Sequence, residues 1–117
     1  MVALMAKRLA LCIALLASAS AADAGASNFI LVNGTQVQLQ DLSIRRAGSQ
    51  DWKPLGNAPS PGARGPVKFT ADDCAFDIRA NVPGSGPVTW ANVNLCDVKS
   101  VSLKRDGSAG PWVDYDQ

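Results

Sequence analysis

The sequence predicts an all-β fold, a small antiparallel β-sandwich or open barrel of about six strands, closed by one disulfide and preceded by a cleaved signal peptide. Three observations predict it. After residue 27 no window shows helical periodicity, and short β-branched or aromatic runs recur between Gly, Pro, Asn and Asp. The N-terminus has the layout of an export leader. Of the three cysteines, two lie beyond that leader, an even pair in a small chain.

The leader reads in the order positive, apolar, small. Lys7 and Arg8 precede the apolar run LALCIALLASAS at 9–20, and residues 19–26 offer several A-x-A sites. A spanning helix needs about 18 to 20 apolar residues, so the run predicts no stable membrane insertion. Cleavage is expected after Ala21 or Ala24, which sets the leader at 1–24. The remaining chain is short enough for one core, a sandwich at 25–105 followed by a polar tail at 106–117. These features predict a periplasmic or secreted bacterial protein.

The strands follow in order. NFILVN at 28–33 is apolar on both phases and reads as a central strand. Asn33-Gly34 is a tight-turn dipeptide. The strand at 36–46 changes phase, with Val37 and Leu39 odd, Leu42 and Ile44 even. Either a β-bulge near Gln40-Asp41 restores one inward face, or the turn extends to about Gln38. The segment AGSQDWKPLGNAPSPGARGP at 47–66 holds four Pro and four Gly without alternation and reads as a long loop, pinned by Trp52 and Leu55.

A short strand is expected at 67–70 and another at 74–81, where Cys74, Phe76, Ile78 and Ala80 alternate with Ala75, Asp77 and Arg79. PGSGP at 83–87 turns the chain. The strand at 88–95 again shifts phase, which predicts a second bulge around Ala91-Asn92. The last strand spans 98–104 with Val101 and Leu103 inward. The tail at 106–117 is polar, with Trp112 as its anchor.

In DDCAFDIRA at 72–80, three aspartates flank a cysteine. The phase of this strand points Cys74 inward with Phe76 and Ile78, where a bridge to Cys96 is shielded. It leaves Asp77 and Arg79 as an exposed pair on the outer face, and Asp72 and Asp73 as turn residues. The bridge closes a loop of about 23 residues and stabilises by about 3 kcal/mol. The metal reading of this stretch is a calcium site from Asp72, Asp73 and Asp77. It lacks any EF-hand-like spacing. Zinc needs three or four soft or imidazole ligands, which two cysteines without histidine do not supply. No cofactor is implied.

Five stretches carry a family likeness. Phe29-Ile30-Leu31-Val32-Asn33-x-Thr35, Leu42-Ser43-Ile44, a loop Trp52, Cys74-x-Phe76-Asp77-Ile78-Arg79 and Val93-Asn94-Leu95-Cys96 follow one another in the chain. This order resembles a family of small exported bacterial β-sandwich-like proteins, with a Cys-x-aromatic-Asp strand paired to a Leu-Cys strand end. Gly34-Thr35 stands where the family has Thr-Gly, Ser43 where it has an aromatic, and Lys53 where Gly follows the Trp. The resemblance implies export and a sandwich-like fold, and carries no activity.

Composition narrows the function. There is no histidine and no glutamate, so Ser-His-Asp and Cys-His catalysis are excluded. Removing Lys7, Arg8 and Asp23 with the leader leaves nine bases against nine acids, with no footprint for nucleic acid. The tryptophans are the binding candidates. Trp52 and Trp112, with Tyr115 beside the latter, could grip a protein or stack on a sugar. The reading is a monomeric, non-catalytic binding or accessory protein that meets an envelope protein or glycan through the 47–66 loop. Its alternatives are a small hydrolase using Asp72, Asp73, Asp77 and Asp97, or a structural, stress-related envelope protein without a ligand.

Overall fold

The computed structural model describes residues 25–116, so the expected leader lies outside the described residues. Eight strands form two four-stranded sheets. They are β1 (Phe29–Asn33), β2 (Gln40–Arg46), β3 (Lys53–Gly56), β4 (Arg64–Val67), β5 (Ala75–Val82), β6 (Gly86–Asn94), β7 (Ser100–Asp106) and β8 (Gly110–Asp116). The first sheet runs β4-β1-β7-β8 and the second β3-β2-β5-β6. Neighbours are antiparallel except β1 and β7, which run parallel. Among the described residues no helix is long and apolar enough to cross a membrane.

The core is the space between the sheets. Phe29, Leu31, Val101 and Leu103 fill it from the first sheet. Ile44, Phe76, Ile78, Trp90 and Val93 meet them from the second. Both bulges are present. The β2–β5 register shifts between Gln40 and Ser43, with Asp41 at φ 52°. The β5–β6 register shifts between Phe76 and Ile78, with Asn92 at φ 55°. Each extra residue resets the alternation, so Leu39 and Leu42 are both buried, as are Trp90 and Val93. Trp90 is the largest side chain in the core, and its indole N–H donates to the Lys104 carbonyl of the other sheet at 2.8 Å. That bond satisfies a donor that burial would otherwise leave costly.

Several expectations are corrected. The 47–66 segment is not one loop: it contains β3 and most of β4, and the strand expected at 67–70 lies three residues earlier. The segment at 106–117 is not a tail but a turn and the edge strand β8. Val113, not Trp112, packs on the core there. Asn33-Gly34 does not close a hairpin, because β1 and β2 belong to different sheets. Gly34 is instead required for close approach, since a Cβ would stand 2.9 Å from the Leu103 carbonyl oxygen.

Asn33 is 1% exposed, and its side chain clasps this crossover. Its Nδ2 donates to the Val37 and Pro59 carbonyls, both at 3.0 Å, and its Oδ1 accepts from the Thr35 N–H and hydroxyl. The Asn33 side-chain amide is therefore buried with both donors engaged.

Prolines follow the sheet order. Each edge strand holds one, Pro54 in β3, Pro66 in β4, Pro87 in β6 and Pro111 in β8, and the interior strands hold none. Proline removes a ladder donor, so the edges resist pairing with further chains. Cys74 and Cys96 form a disulfide, with Cα atoms 5.2 Å apart. It joins the chain just before β5 to the chain just after β6, next to the bond from Leu95 N–H to the Cys74 carbonyl. Cys74 is exposed and Cys96 half-buried, so the bridge is a rim staple, not the shielded one expected from strand phase. Cys74 lies one residue outside β5, where alternation no longer dictates burial.

Candidate functional site

The outer face of the second sheet is built around Asp77. The β2–β5 register places Arg45 opposite Asp77 and Ser43 opposite Arg79. The Arg45 Nε donates to Asp77 Oδ2 at 2.8 Å, and the Asn92 backbone N–H to Oδ1 at 3.0 Å. Asp77 is only 5% exposed, which corrects the expectation of a solvated Asp77–Arg79 pair. The phase was right and the environment was not. The β6 bulge turns Asn92 N–H onto the carboxylate, and Arg45 lies beside it with its guanidinium against the Trp52 ring.

Trp52 stands just before β3, and the Ile44–Lys53 pairing brings it alongside Arg45. The Arg45 and Arg79 guanidinium carbons lie 4.5 and 4.0 Å from the ring centroid. Such contacts are each worth about 0.5 to 1 kcal/mol when exposed. Trp52 is thus half-buried, with two cations held against its π system, and a sugar would compete with them for it.

The remaining aspartates face another arginine. Arg46, next to Arg45 in β2, pairs with Asp73 through Nε at 2.9 Å and with Asp72 through Nη2 at 3.3 Å. Asp73 also accepts from the Cys74 N–H at 2.9 Å. The carboxylates of the calcium alternative are therefore divided, Asp77 to Arg45 and the other two to Arg46. Among the described residues no group of three or more Cys or Asp could hold a metal ion. Asp97 follows the disulfide at φ 60°, in left-handed backbone.

Trp112 and Tyr115 lie on β8, in the other sheet from Trp52, so the structure does not bring the two candidate tryptophans together. Trp112, 43% exposed, sits opposite Lys104 on the outward phase. Tyr115 has the phase of Val113, and its hydroxyl accepts from the Asn94 N–H of β6 at 2.9 Å. It ties the two sheets at their edges.

A cleft of about 330 Å³ lies where the β2–β3 turn faces the β4–β5 connection. Ile44, Phe69 and Phe76 form its floor, with Phe69 edge-on to Phe76 at 5.1 Å and to Phe29 at 6.3 Å. Arg45, Arg46, Lys53, Ser49 and Asp51 surround it. A second, more open groove of about 720 Å³ follows the β3 edge past Gln38, Gln40, Asn57 and Pro54. Sequence reading missed Phe69 as a floor residue and Arg45 as the partner of Asp77. Strand phase carried a signal for the second, since both residues are outward on their strands. No family model, curated protein or solved structure matches the chain.

Proposed function

We propose that the protein is an exported, non-catalytic binding or accessory module of the bacterial envelope, meeting a protein or glycan partner through its 47–66 segment. The single observation that carries this reading is the cleft beside the β2–β3 turn, an apolar floor ringed by charged side chains, two of which, Asp51 and Lys53, bracket the half-buried Trp52 in the chain. Concave sites with an apolar lining and a few polar groups are where ligands usually bind. A disulfide in a small all-β domain is compatible with an oxidising compartment, which supports export. Proline on every edge strand favours a monomer. Commitment of Asp72, Asp73 and Asp77 to arginines favours binding over carboxylate hydrolysis.

The test compares capture of native envelope partners by the oxidised wild type, Ser49→Trp, Trp52→Ala and Trp112→Ala. Loss of capture with Ser49→Trp and Trp52→Ala, capture retained by Trp112→Ala, and all variants folded, is the expected result. Equal capture by all four proteins removes the 47–66 segment as the binding surface.

A further inference from the structure

We infer that the cleft selects a small apolar group carrying a carboxylate, such as the last residue of a peptide chain or a free apolar acid. This rests on the preceding reading of the 47–66 segment as the binding surface. Phe69, backed by the buried Phe76 and Ile44, gives the cleft an apolar floor that attracts an aromatic or branched group. Its rim holds two cations, Arg46 and Lys53, against one carboxylate, Asp51, while Arg45 lines it with its guanidinium turned to Asp77 and Trp52 on the outer face.

The cations are not equally committed. Arg45 is fixed by Asp77 at 2.8 Å, and Arg46 by Asp73 at 2.9 Å. Lys53 stands 3.7 Å from Asp51, and both side chains are more than two-thirds exposed, at 71% and 75%. A pair that long and that wet is weak and is readily exchanged for another anion. Lys53 is therefore the cation a ligand claims, while its apolar part rests on Phe69. The volume of about 330 Å³ is near the lower end for small-molecule sites, which fits one side chain with its terminal carboxylate.

The probes are N-acetyl-phenylalanine, its neutral amide and octanoate, titrated into the labelled oxidised protein while backbone amide shifts are followed by NMR. Small ligands of this size bind weakly, so titration extends to about 20 mM. The acid is expected to move the amides of 44–53 and 69–71 and to bind up to about fivefold tighter than the amide, the scale of one exposed ion pair. Lys53→Gln, an exposed change, is expected to abolish that preference without altering the rest of the spectrum. Octanoate matching N-acetyl-phenylalanine supports the same chemistry with a free acid as its source; weaker octanoate binding supports a chain end.

Equal binding of acid and amide overturns carboxylate selection, and so does the absence of shifts with every probe. Envelope capture that is still lost with Ser49→Trp would then leave the binding-module reading standing and only the ligand class refuted.

Discussion

The two outward faces of the sandwich use the same side chains to different effect. On the second sheet an indole, two guanidiniums and a carboxylate converge, with Asp77 buried and both its oxygens bonded. On the first sheet Trp112 stands opposite Lys104, whose ammonium reaches Asp114 only at 3.9 Å, with side chains 39% and 63% exposed. The difference lies in the cover. On the second sheet a bulge supplies an N–H to Asp77 and the turn before β3 brings Trp52 over the arginines. On the first sheet Trp112 is on an edge strand and reaches solvent. Burial turns a nominal ion pair into a structural one, and inventory alone does not.

The largest expected effect tests that difference directly. Asp77→Ala leaves the Asn92 N–H and the half-buried Arg45 guanidinium without the buried acceptor they share. Breaking a buried pair costs about 3 to 5 kcal/mol, and the 24% exposure of Arg45 places this one toward the lower figure. Urea unfolding at neutral pH measures it. A loss below about 1 kcal/mol would make the two faces energetically alike.

The disulfide sharpens the same contrast, because both its cysteines flank the second sheet. Cys74→Ser with Cys96→Ser is expected to lower stability by about 3 kcal/mol. Amide exchange should then accelerate first at the β5 start and β6 end, with β7 and β8 protected until global unfolding. Uniform acceleration across both sheets would show that the staple acts only through the unfolded chain.

Legibility in the sequence follows the same division. β5 and β7 were readable because inward apolar groups alternate over their length, and the bulges because a phase change has few other remedies. β3 and β8 were not, since each offers one side chain to the core, Leu55 or Val113, amid proline and polar residues. The parallel pairing of β1 with β7 was invisible, because periodicity says nothing about which distant strand is the neighbour. Of the candidate site, the aspartates and Trp52 were visible as residues. Their partners were not, because Arg45 and Asp77 meet across 32 positions and the cleft floor comes from Phe69 in a short connection.

Smaller effects separate the tryptophans. Trp52→Ala removes two guanidinium contacts, one of them to the arginine that holds Asp77, with an expected loss of about 1 to 2 kcal/mol. Coupling to Asp77 is the sharper readout. In a double-mutant cycle, Trp52→Ala should cost measurably less once Asp77→Ala is present, because the arginine is then no longer held in place. Additive losses would mean that the ring and the ion pair stabilise independently.

Trp112→Ala is expected to change stability by no more than about 0.5 kcal/mol, as surface substitutions outside packed features usually do. The indole lies on the outward phase, 43% exposed, and the group of β8 that enters the core is its neighbour Val113. Its loss removes apolar contact with the Lys104 stem at most, whereas Val113→Ala deletes methyls packed against the core and should cost more. The ratio of these two losses, read from matched urea curves, tests the phase assigned to β8. Should Trp112→Ala prove the costlier, the strand would have to be turned over, placing the indole inward and making the two faces of the sandwich equally covered.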